Sequence, residues 1–256
     1  MPQENKLSSN YHWYLPAAGD LKQLIGKLDY LKGLGHQHIW LSPPYPHGGA
    51  DRGYDVIDYE NIAQEWGTME DLENLIAQAK KRNIGIKMDL IPNHCSKKHS
   101  FFQDVINHRE KSDYFDHFYV RKGKNGRPPN NFKSVTGGSA WHKLTKDNPD
   151  ADNLWYLASF TPGQPDWNLH NPKVQEMLLS HVKFWLSKDV SGFRIDVLNA
   201  IGKTLDRDGN LPDNPTKSYC EEPGGIFYTP LGQHPRYNRN NRTIIEAFCE
   251  NFKAVL

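Results

Sequence analysis

The sequence has few cysteines, almost no net charge and no long apolar run, and each shortage removes a class of protein. Cys95, Cys220 and Cys249 are odd in number and lack metal-ligand spacing, so ordinary reduced thiols in a cytoplasmic protein are expected. Lys and Arg total 31 against 30 Asp and Glu, a net charge of +1, which argues against nucleic acid as a partner because that needs a basic stripe. Lys97-Lys98, Lys122 to Arg127 and Arg236 to Arg242 are local basic patches that read as solvated loops. The longest apolar runs, such as Ile39-Trp40-Leu41 and Met177-Leu178-Leu179, fall far short of the roughly 20 residues that span a bilayer, so no membrane partner is expected. Met1 to Leu15 shows no basic start followed by an apolar stretch, and no signal peptide is visible. Gly137-Gly138-Ser139 lacks the helix and lysine of a phosphate loop. His94 and His99 are not in His-Glu-x-x-His form, and the glycine of Asp206 to Asn210 comes too early for an EF-hand, so no metal is expected.

What is present is a full-sized core and an aromatic bias. At 256 residues and 37% hydrophobic, the chain suits one large α/β domain or two small ones. It also matches the roughly 250 residues of an eight-fold βα barrel. The 7 Trp, 12 Tyr and 11 Phe could stack on sugar faces or simply build cores. Leucines at helical spacing predict a helix from Asp20 to Leu34, followed by a buried strand at His38 to Leu41. Thr68 caps a second helix, with Asp71 as an imperfect capping box and Leu72, Leu75, Ile76 and Ala79 inward. Ile84 to Ile91 reads as a strand, Lys173 to Lys188 as a helix, Gly192 to Val197 as a strand and Thr243 to Val255 as a final helix. This alternation means βαβ units around a parallel sheet, with polar strand ends placed for chemistry. Ser96 to Trp167 breaks the rhythm with roughly 70 residues, far beyond an ordinary βα loop, and predicts a small inserted domain.

Three local patterns carry chemistry. In Gly192-Phe193-Arg194-Ile195-Asp196 the alternation of a strand points Arg194 and Asp196 to one face. The guanidinium would hold the Asp196 pKa down and keep a carboxylate nucleophile ionised; equally, the pair could merely fasten two strands. In Asp89-Leu90-Ile91-Pro92-Asn93-His94, Asp89 ends a strand while Asn93 and His94 stand on a rim able to bond sugar hydroxyls, or form a turn cluster. Gly53-Tyr54-Asp55 offers a ring and a carboxylate on a flexed loop, again for a sugar or for a turn.

Together these segments resemble the α-amylase family of glycoside hydrolases, in its oligo-1,6-glucosidase and α-glucosidase branch. The similarity runs nearly unbroken from Gly19 to about Ile201, through Ile39 to Pro43, Gly53 to Tyr59, Gly67 to Leu72, Asp89 to Ser96, Gly137 to Trp141, Gln164 to Asn168 and Gly192 to Val197. The resemblance implies an α/β fold, the N-terminal portion of a (β/α)8 TIM barrel with a small domain inserted after the third strand. Residues 1–95 and 171–256 would belong to the barrel and 96–170 to the insertion. It also implies Asp196 as catalytic nucleophile with Arg194 as its partner, Asp89 as a structural carboxylate, and His94, Tyr54 and Asp55 as substrate-binding residues. The reaction would be retaining, on an oligosaccharide or α-glucoside, with a second carboxyl as acid and base. Val197 after Asp196 resembles the 1,6-specific members.

The chain departs from that pattern in three places. The family's first strand and calcium loop are replaced by a shortened Asn10 to Asp20, so no calcium or other cofactor is expected. The acid/base glutamate and the third carboxylate would lie past Leu256, and Glu246 and Glu250 on the final helix are poor substitutes. The expectation is therefore a truncated chain without appreciable activity alone, and poorly soluble through its open sheet edges. A non-catalytic fragment or pseudoenzyme, and a trehalose-6-phosphate hydrolase or sucrose-converting relative, are the alternative readings.

Overall fold

The computed structural model describes residues 9–144, 153–203, 205, 206, 211 and 242–256. Most of the Asp206 to Asn210 stretch, Cys220 and most of the basic patch from Arg236 to Arg242 lie outside these residues.

The described residues open with β1 (Asn10–Trp13), a four-residue strand parallel to its neighbour, so the first strand is present. Only the connection after β1 is short: the chain turns at once into α1 (Leu15–Ala18). The helix expected from Asp20 to Leu34 is two helices, α2 (Leu21–Ile25) and α3 (Leu28–Gly33). Leu21, Leu24, Leu28 and Leu31 are buried while Leu34 is exposed, and around Gly26 the bonds tighten to the three-residue type, with Lys27 N–H donating to Leu24 O. Asp20 caps α2 through a reciprocal bond with Gln23.

After β2 (His38–Leu41) comes α4 (Met69–Lys80). Its capping box is complete, because Thr68 and Asp71 each accept the other's backbone N–H. Leu72, Leu75, Ile76 and Ala79 are buried, as their spacing predicts. β3 (Gly85–Leu90) comes next. The expected insertion contains α5 (Ser100–His108) and a small antiparallel sheet of β4 (Val120–Lys122), β5 (Trp141–Lys143) and β6 (Leu154–Leu157), in the order β4-β6-β5. Phe102, Val105, Phe118, Tyr156 and Trp167 join the main core, so the segment is fused to the parallel sheet. A separate cluster of Tyr119, Phe132, Trp141 and Leu157 closes its far side.

Asn171 caps α6 (Pro172–Ser187), which buries Val174, Leu178, Val182 and Trp185 and leads into β7 (Gly192–Ile195). The final helix, α7 (Arg242–Val255), lays Phe252 against Phe193 of β7. The parallel sheet is thus β1-β2-β3-β7 in chain order. In its register Asp89 stands directly across from Arg194. Among the described residues no helix is long and apolar enough to cross a membrane.

Candidate active site

Parallel sheets present their chemistry at the C-terminal ends of the strands, and β3 and β7 end together in a charged cluster. Arg194 Nη1 lies 2.9 Å from Asp89 Oδ1 and 2.5 Å from Asp196 Oδ1, bridging the two carboxylates. Both acids are sunk into the protein, Asp89 at 0% exposure and Asp196 at 7%, while the Arg194 side chain is 39% exposed. The other oxygen of Asp89 accepts from Trp40 Nε1 at 3.1 Å and from the Tyr54 hydroxyl at 3.2 Å. Tyr45 donates to the Asp89 backbone carbonyl at 2.6 Å.

Arg194 and Asp196 do share a face, as the strand pattern predicts, but the pKa expectation is corrected. Burial raises Asp196 above the ordinary carboxylate value, and Arg194 only opposes that rise. Asp89 is pushed up to about 7 by burial, again against the pull of Arg194. Desolvation of a carboxylate outweighs one partly solvated partner here. The strand also ends two residues early. Asp196 N–H still donates to Leu90 O, but Val197 turns into the left-handed region at φ 39°, a strained conformation for a β-branched residue.

The loop carrying Tyr54 and Asp55 is wound tightly. Gly53 has φ 102°, and a Cβ there would meet Pro43 O at 2.9 Å. Tyr54 reaches Asp89, whereas Asp55 is fully buried and accepts from the backbone N–H groups of Ala50 and Asp51 at 3.0 and 3.1 Å. The Asp55 carboxylate thus closes its own loop, the turn role left open by the sequence.

His94 lies beneath the rim, 1% exposed, with ring nitrogens 3.1 Å from Asn93 Nδ2 and 3.0 Å from Gln164 Nε2. Burial lowers its pKa to about 4, so the ring is neutral. Gln164 also donates to Asp51 at 3.0 Å, tying the Tyr54 loop to the inserted segment. Behind it stands a second ion pair that sequence reasoning missed. Lys203 Nζ sits 2.9 Å from Asp166 Oδ2 and donates to Asn93 Oδ1 at 2.8 Å and to Ala200 O at 2.5 Å. A lysine in a nondescript Ile201-Gly202-Lys203 stretch gives no local sign of this. Trp40 was read only as a strand residue. Among the described residues no group of His, Cys, Asp and Glu is arranged to hold a metal ion.

The arrangement pairs the buried carboxylates Asp196 and Asp89 with a guanidinium, a tyrosine ring and the neutral His94. The chain is 40% identical over 234 residues to an oligo-1,6-glucosidase of Parageobacillus thermoglucosidasius, covering 90% of this chain and 40% of that protein. It is 45% identical over 190 residues to a palatinase of Erwinia rhapontici, covering 73% of this chain and 33% of the relative. Among solved structures, trehalose-6-phosphate hydrolase from Bacillus licheniformis matches 96% of this chain and 42% of its own, with TM-score 0.81 at 30% identity. An isomaltulose synthase mutant from Erwinia rhapontici, in complex with sucrose, matches 82% and 37%, with TM-score 0.75 at 39% identity. This chain therefore spans well under half the length of these relatives, and its parallel sheet is the N-terminal part of their barrel. The family model described as the alpha amylase catalytic domain matches residues 2–255, and the chain belongs to the α-amylase family.

Proposed function

We propose that this chain carries the nucleophile side of a retaining α-glucosidase site that accepts terminal α-linked glucose. The observation that carries the reading is the bridge from Arg194 Nη1 to Asp196 and Asp89 at the ends of adjacent parallel strands. In this reading an Asp196 oxygen attacks the anomeric carbon, and the bond to the leaving oxygen breaks as a second carboxyl protonates it. Water then releases the glucosyl group with that carboxyl acting as base. Arg194 keeps Asp196 charged against the cost of burial and orients the attacking oxygen. Asp89 fixes Arg194, and Tyr54 offers a ring beside the nucleophile. His94 and Asp55 support the rim, through Gln164 and through the Tyr54 loop. The fitting substrate is an oligosaccharide or simple α-glucoside. Val197 beside Asp196 and the relatives named oligo-1,6-glucosidase favour an α-1,6 bond. A cytoplasmic location fits the free thiols of Cys95 and Cys249.

Asp89 cannot serve as the second carboxyl, because Arg194, Trp40 and Tyr54 already hold its oxygens. In this reading the chain is expected to bind a glucose mimic at Asp196. Calorimetric titration with 1-deoxynojirimycin, whose ammonium pairs with a carboxylate, should show binding that Asp196→Asn abolishes. Absence of binding to the wild-type chain would remove the glucosyl reading.

A further inference from the structure

The polar face of the parallel sheet carries a stacked pair of rings beside the carboxylates. His12 on β1 and Trp40 on β2 are register partners, and their rings lie face to face with centroids 3.7 Å apart and planes within 10°. Trp40 in turn touches both members of the ion pair on the next two strands. Its Nε1 donates to Asp89 Oδ2 at 3.1 Å, and the Arg194 guanidinium carbon lies 5.0 Å from the ring centroid. One indole thus connects a histidine on the edge strand to the bridge that holds Asp196.

The contacts make the indole's plane matter. Rotation about the bond to its ring would swing the N–H off Asp89 and take the π face from under the guanidinium. Asp89 would lose a donor in a buried place, where a missing hydrogen bond is costly. Stacked flat on that ring, His12 resists the rotation.

We propose that His12 is a positioning residue of the site, acting through Trp40: its ring pins the indole plane, and the pinned indole holds Asp89 and Arg194 in the orientation that presents Asp196. The ring is neutral in this role, since an imidazolium stacked on Trp40 would be repelled by the nearby Arg194 guanidinium. Burial and Arg194 both lower its pKa, in agreement. This rests on the reading of Asp196 as a glucosyl nucleophile only for its functional consequence; the stack and its contacts stand without it.

The test uses the full chain with ¹⁵N-labelled tryptophan. The Trp40 indole N–H resonance is assigned by its loss in Trp40→Phe, and 1-deoxynojirimycin affinity is measured on the same samples. His12→Ala should move that resonance toward its unfolded position and weaken binding about tenfold, as loosened support of a site does. His12→Phe, which keeps a flat ring, should return the resonance and bring affinity within about twofold of wild type. An unmoved Trp40 resonance in His12→Ala, or a Phe variant as impaired as the Ala variant, would overturn the proposal. If the wild-type chain binds no iminosugar, the glucosyl reading falls while the indole resonance still decides the role of His12.

Discussion

On one face of the parallel sheet Ile39, Leu41, Ile86, Met88 and Leu90 are buried in the main core, while on the other face His12, His38, Trp40, Lys87, Asp89 and Arg194 stand on the same strands. Buried parallel strands commonly read as continuous apolar runs. Here they alternate, as in Ile86-Lys87-Met88-Asp89-Leu90, because only the helix-covered face is given to packing. The apolar face holds the fold, and the polar face places the charges. Within the charges a further division appears. Arg194 is partly open to solvent, whereas Lys203 and Asp166 are sealed from it. Face and burial together, rather than charge alone, determine what each residue contributes.

Lys203→Met breaks the comparison most severely, because it leaves Asp166 buried without its cation. Removing one partner of such a pair costs about 3–5 kcal/mol, and urea unfolding should show the loss. A loss below about 1 kcal/mol, as for exposed pairs, would mean that burial does not set the value of this pair.

The faces themselves are separated by a matched pair of substitutions. Leu41→Ala removes a fully buried side chain and should cost about 2–5 kcal/mol. Lys87→Ala on the opposite face loses only a bond to Asn10 at 2.9 Å and should change stability by less than about 0.5 kcal/mol. Comparable losses from the two would erase the distinction.

The remaining effect comes from pH. Burial holds His94 and His99 at about 4 against 6.5 for the free ring. Between those values the unfolded chain binds more protons, so stability falls as pH falls. Asp89, raised to about 7, acts in the opposite sense over the same window, since its protonated form is favoured in the folded protein. The two histidines, joined by the burial-lowered His117, His142 and His170, outweigh the raised Asp89 and Asp196, so stability falls from pH 7 to pH 4. Thermal melts across that range should show it, and replacing both histidines by glutamine should flatten the slope. A pH-independent Tm in the wild type would contradict the buried, neutral state of these rings.

Local features were legible in the amino-acid order alone. Hydrophobic spacing located α4, α6, β2, β3 and β7, and the Thr68–Asp71 cap was visible because both partners lie within one helical turn. Alternation along β7 put Arg194 and Asp196 on one face, and the ordered run of motifs identified the family. Tertiary structure decided everything that depends on distance and burial. It split the first helix around Gly26, formed β1 by pairing it with β2, and turned Asp55 into its own loop. It set Trp40 on Asp89 across 49 residues and Lys203 on Asn93 across 110. The pKa values of Asp89 and Asp196 belong to the same class. Coulombic attraction from Arg194 could be read two residues away, but desolvation is produced by every element packed around the carboxylate, and it reversed the expected direction.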